Sequence, residues 1–140
     1  HMAGAVAVLG LESPHPGGAL KTARLGSTRV RIEIAGRAAH AALDPESGVS
    51  AVDELMDQLF AVREIMAAEP TVLCNVGTVG GGGRTNVVPD SAAADIGLRF
   101  TDVATQERVL AALGRLTPVR TGAEARDAMA RHAWLRNFYL

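Results

Sequence analysis

The sequence predicts an α+β fold, an antiparallel sheet with two helices on one face in a ferredoxin-like two-layer sandwich. Three observations predict it. Residues 28–35 and 92–100 alternate apolar and polar side chains with a period of two. Two other stretches carry apolar residues at the 3.6 spacing of a helix buried along one stripe. The order is β-α-β-β-α, which a fourth strand would close into a split arrangement.

The first strand places Val30, Ile32 and Ile34 on one face and Arg29, Arg31 and Glu33 on the other, and Gly36 ends it. From Val49 the period lengthens. Val52, Leu55, Met56, Leu59, Val62 and Met66 form a stripe, while Asp53, Glu54, Asp57, Arg63 and Glu64 are expected on the solvent side. Ser47 or Gly48 is the expected N-cap, and Pro70 follows the end of the helix. A second strand is expected over 71–79, with Val72, Cys74, Val76 and Thr78 on one face and Cys74 a buried core thiol. A third over 92–100 turns Ala94, Ile96, Leu98 and Phe100 inward. The second helix is expected over 103–116, capped by Thr101 or Asp102. The fourth strand has no clear counterpart. In the tail, residues 120–140, Ala125, Met129 and Ala133 make a weak helical stripe, so this segment reads as helical.

Composition excludes several functions. The chain has 140 residues, 48% of them hydrophobic, enough for a packed core. Fourteen basic against fifteen acidic residues leave a net charge of −1, which argues against electrostatic capture of nucleic acid or a membrane surface. The single cysteine excludes an internal disulfide framework, and four scattered histidines do not form a zinc module. No apolar run approaches the roughly 20 residues of a membrane span. His1-Met2 reads as a leftover of cloning, and a cytoplasmic product is expected.

Individual residues stay open on their own evidence. Gly80–Gly83 followed by Arg84 could cradle an anion, but no helix or Lys-Ser/Thr pair follows, and a hairpin connection is the favoured reading. His40 is either an idle loop histidine or a donor or proton carrier for a substrate. Asn86 either satisfies a turn or donates to a developing oxyanion. Arg99 is either solvated or a fork for a substrate carboxylate. The apolar run 3–11 suits a strand buried on both faces, and Glu12 at its end stands where α/β sheets keep their chemistry. Residues 13–18 read as a linker.

Taken in order, Gly36-Arg37-Ala38-Ala39-His40-Ala41, Asp44-Pro45-Glu46-Ser47-Gly48-Val49-Ser50-Ala51, Asn75-Val76-Gly77, Gly82-Gly83-Arg84-Thr85-Asn86-Val87-Val88-Pro89-Asp90 and Leu98-Arg99 form one set. The set resembles the dimerisation, or lid, domain of the zinc-dependent carboxypeptidase G, aminoacylase and succinyl-diaminopimelate desuccinylase family. The resemblance implies a lid over 19–119, a remnant catalytic-domain strand and linker within 1–18, and a tail of uncertain origin from 120. It implies a parent hydrolase that holds two zinc ions and acts on peptide or amide bonds, with none held by this chain. It implies homodimers formed through the sheet edge and helix. It further implies that His40 reaches the partner subunit's active site to stabilise the tetrahedral intermediate. Asn86 and Arg99 would contact substrate, Glu12 would be a metal ligand in the intact parent, and Lys21 would lie near the substrate. The chain lacks the His-x-Asp and Glu-Glu pairs of the family's metal centre. It is therefore expected to be a lid separated from its catalytic domain, inactive alone. The rival readings are a free-standing module that binds a small anion through the glycine run and Arg99, and a purely structural assembly domain.

Overall fold

The computed structural model describes residues 16–19, 23–120 and 122, with the backbone of a strand over Glu124–Ala133. The run 3–11, Glu12 and Lys21 lie outside the described residues. The elements are β1 (Gly26–Ala35), a 3-10 turn (Pro45–Ser47), α1 (Ala51–Ala67), β2 (Leu73–Gly81), β3 (Ser91–Phe100), α2 (Val103–Leu113) and β4 (Glu124–Ala133). The sheet is antiparallel, in the order β2-β3-β1-β4.

The alternation in β1 and β3 falls as the period predicts. Val30, Ile32 and Ile34 meet Ala94, Ile96, Leu98 and Phe100 on one face, where Leu55, Val62, Val109 and Leu113 of the helices close the core. The opposite face is polar. There the Asp95 carboxylate accepts from Arg29, Arg31 and Thr78, and these contacts, Arg29 first, hold its pKa below the usual carboxylate range.

The tail corrects the sequence reading. Residues 124–133 form a strand on the free edge of β1, not a helix, and supply the closing fourth strand. Ladder hydrogen bonds along β1 outweigh a weak local preference, because an unpaired edge leaves a row of backbone groups to be satisfied. The pairing steps from Arg29↔Arg131 to Arg31↔Ala128, so β4 carries one extra residue there. That bulge breaks the period of two, which is why the alternation was not visible and a four-residue spacing stood out instead.

A second bulge corrects β2. Val76 pairs with Ile96 and Thr78 with Asp95, leaving Gly77 as the extra residue. Beyond it the side chains change face, so Thr78 joins Asp95 on the polar surface and does not share the face of Val76. Cys74 is likewise exposed, not a core thiol. It lies opposite Leu98, but among the described residues β2 is the outermost strand on its side, and little of the strand is covered.

The helix ends follow from local chemistry. Ser50, not Ser47 or Gly48, caps α1, its hydroxyl accepting from the Asp53 N–H at 3.2 Å. Ser47 belongs to the preceding turn and donates to the Asp44 carboxylate. Asp102 caps α2 as expected, accepting from the Thr105 N–H at 2.8 Å. α2 stops at Leu113, capped by Gly114, although Leu116 still packs against the core.

Glu54 overturns the expected solvent face of α1. It is fully buried, and its carboxylate accepts from the Gln58 side chain (2.7 Å), the Val119 N–H (3.0 Å) and the Arg120 N–H (2.7 Å). Gln58 also donates to the Thr117 carbonyl at 2.9 Å. α1 thereby holds the segment that runs from α2 towards β4.

Gly36 is required by close approach. A Cβ there would lie 2.1 Å from the Val49 carbonyl oxygen and 3.0 Å from the Ala51 nitrogen, both backbone atoms that cannot rotate away. Gly36→Ala is expected to cost about 2 kcal/mol or more, as overpacking against fixed neighbours does. Urea denaturation of the two proteins checks this, and equal midpoints would refute it.

Candidate functional site

The polypeptide leaves β1 at Gly36 and runs directly into the residues of interest. Gly36 N–H donates to the Asp90 carbonyl (2.8 Å), Arg37 and Val49 exchange backbone hydrogen bonds (2.9 and 2.8 Å), and Ala51 N–H donates to the Pro89 carbonyl (2.8 Å). Two further bonds, Val88 N–H to Ala39 O and Ala41 N–H to Asn86 O, both 2.9 Å, flank a bridge between His40 and Val87. Three segments separated in sequence are thus stitched together at one end of the sheet.

Small residues make the stitching possible. Gly48 sits where a Cβ would come within 2.9 Å of the Val88 side chain and 3.0 Å of the Ala39 Cβ. Beyond His40 the chain turns tightly, with the Asp44 N–H donating to the His40 carbonyl at 3.0 Å. Arg37 braces the loop by donating from Nε to the Ser47 carbonyl.

His40 is exposed at the tip of this junction. Its Nδ1 accepts from two backbone donors, the N–H groups of Ala42 (3.2 Å) and Leu43 (3.1 Å). Asn86 is also exposed and sits one residue away from the His40 bridge, in a turn closed by the Val87 N–H donating to the Arg84 carbonyl at 3.1 Å. The structure therefore brings His40 and Asn86 to neighbouring backbone positions.

Arg99 is elsewhere. It pairs in register with Ser27 at the other end of β1 and donates to the Ser27 hydroxyl. Ala35 is eight steps along the strand from Ser27, roughly 26 Å at the rise of an extended chain, and His40 lies beyond. The glycine run is equally remote from Arg99, since Gly80 pairs with Ala93 whereas Arg99 pairs with Leu73. An open depression of 660 Å³ on the polar face is lined by Arg31, Glu33, Thr78, Val79, Gly80 and Ser91 among others, and by none of His40, Asn86 and Arg99.

Among the described residues no three His, Cys, Asp or Glu side chains are placed to hold a metal ion. Glu12, the candidate ligand, lies outside the described residues. These residues do not fit the paired zinc ions implied for the parent enzyme. Among the described residues no helix is long and apolar enough to cross a membrane.

Sequence reasoning missed two pairs of residues. The amides of Ala42 and Leu43 carry no side-chain signal, although His40 followed by a short Pro-containing loop announces a turn. Glu54 and Gln58, four apart on α1, bond to each other, but their spacing does not mark them as buried.

The fold and its exposed polar junction define a two-layer α+β module. The chain belongs to the peptidase dimerisation domain family, which matches residues 22–117. Similar solved structures include a hydantoinase/carbamoylase family amidase from Burkholderia ambifaria (TM-score 0.65, 19% identity), with 81% of this chain and 28% of that one covered. An amidase of the same description from Burkholderia multivorans gives a TM-score of 0.61 at 20% identity, covering 78% and 28%. Aminopeptidase PepT from Bacillus cereus gives 0.56 at 22% identity, covering 79% and 30%. The chain thus spans less than a third of the length of these proteins. No curated protein matches it significantly.

Proposed function

We propose that this domain is the dimerisation lid of a two-metal amidohydrolase, a peptidase or N-acyl-amino-acid deacylase. It pairs two subunits and lends His40 and Asn86 to the partner subunit's active site. The two zinc ions belong to the parent's catalytic domain, and the lid alone is inactive. The observation that carries the reading is the bare rim formed by β2 and α1. Among the described residues β2 has one strand neighbour, β3, and it is exposed along nearly its whole length, Leu73 and Val79 included. Beside it α1 exposes Phe60 (65%) and Met56 (48%), one helical turn apart. An open edge next to an apolar helix face suits a second copy, which would extend the sheet and cover both.

His40 and Arg99 of one lid are too far apart to share a small substrate. In a symmetric dimer each active site would draw them from different subunits. The same separation counts against the small-anion module, whose glycine run and Arg99 occupy opposite ends of the sheet.

Sedimentation velocity over a dilution series tests the pairing. A concentration-dependent dimer is expected. Phe60→Glu, which leaves the core untouched, should weaken it by about 2 kcal/mol, roughly thirty-fold in dissociation constant. A chain that remains monomeric at every concentration would refute the reading.

A further inference from the structure

We infer that the turn after His40, through the backbone amides of Ala42 and Leu43, fixes its imidazole as the Nε2–H tautomer, so that main-chain geometry holds the proton on the outward nitrogen. The inference deepens the lid reading and rests on it for the substrate.

The argument starts from what a backbone amide can do. An N–H only donates. Two of them, from Ala42 and Leu43, point at His40 Nδ1. An atom that accepts two hydrogen bonds cannot also carry a proton directed between them. In the neutral ring the proton must therefore sit on Nε2. A free imidazole exchanges between tautomers, whereas this one has its choice made by main-chain geometry.

The geometry is held from outside the turn. The Asp44 N–H on the His40 carbonyl closes it, and the Arg37 brace and the Ala39–Val88 and Ala41–Asn86 bonds fix its approach. Ala42 and Leu43 are thus positioning residues through their backbone alone, and their side chains are irrelevant. That fits the exposure of Leu43, 82%, which nothing in packing requires.

The chemical consequence concerns the far nitrogen. A base must offer a lone pair to the substrate, and in this tautomer the only lone pair faces the protein. The outward atom has a proton to share. It matches a carbonyl oxygen that gains negative charge as a tetrahedral intermediate forms.

Nuclear magnetic resonance of the uniformly ¹⁵N-labelled 140-residue chain tests this without any activity. The expected result is a His40 ring with a protonated Nε2 and a bare Nδ1, and trans-hydrogen-bond ¹⁵N–¹⁵N coupling from the Ala42 or Leu43 amide to Nδ1. Leu43→Pro removes one donor and should introduce the other tautomer for His40. If that variant does not fold, the coupling in the unaltered chain decides. A proton on Nδ1, an even tautomer mixture or absent coupling overturns the inference. In the assembled enzyme, His40→Gln, whose amide keeps a donor, should retain at least tenfold more kcat than His40→Ala, and equal loss would overturn the donor role. A fixed tautomer together with unchanged kcat in both variants would uphold the locked ring and remove the lid reading of His40, so the two failures are told apart.

Discussion

Replacing Glu54 by alanine is expected to destabilise the domain by about 3 kcal/mol, because the loss of a buried hydrogen-bonded carboxylate strands its donors. The Val119 and Arg120 amides and the Gln58 side chain would lose their acceptor together. For a domain of this size the melting temperature should drop on the order of 15 °C. Burial alone would raise the pKa of this carboxyl. The hydrogen bonds from Gln58, Val119 and Arg120, with the Arg120 charge, outweigh it and hold the group below the usual glutamate range. A pKa depressed in the folded state stabilises above the unfolded value and ceases to do so as pH falls through the folded one. The unaltered protein should therefore lose this contribution in acid, below the ordinary glutamate pKa, and the alanine variant should lack that part of the acid dependence. Thermal melts at neutral and acid pH check both statements. A variant that melts within a degree or two of the parent would show that the clasp is idle.

His40→Ala in the assembled enzyme is expected to lower kcat by roughly 10²–10³-fold with KM little changed, the loss seen when one donor to an oxyanion is removed. The substitution should leave the lid intact, since His40 is exposed and outside the core. Steady-state kinetics on an amide substrate, with a melt of the variant as control, provide the check. An unchanged kcat would take the residue out of the chemistry. A raised KM alone would mean that it binds the ground state and the transition state equally.

The extent to which the sequence disclosed this molecule depended on which forces shaped each part. β1, β3 and both helices were legible because burial of one face imposes a period, and Ile32, Ile96 and Leu55 sit where that period puts them. β4 was not, since its partner is about a hundred residues away and a bulge scrambles its alternation. The face of Thr78 was lost for the same reason, through Gly77. Glu54 misled because charge ordinarily marks solvent, and only three-dimensional neighbours such as Val119 and Arg120 reveal that it is satisfied indoors. In the site, His40 and Asn86 were recognisable as residue types within an ordered set of motifs. Their adjacency comes from backbone bonds to Ala39 and Ala41 that no side chain encodes, and the distance to Arg99 comes from strand length and register.

The bare rim of β2 has a consequence for handling the isolated molecule. Among the described residues its outer carbonyls and amides have no strand partner, and such groups accept an extended peptide that meets them. In the proposed dimer a second copy would cover that row, so crowded preparations should be safest when paired, with the misfolded strangers that would otherwise begin a fibre shut out.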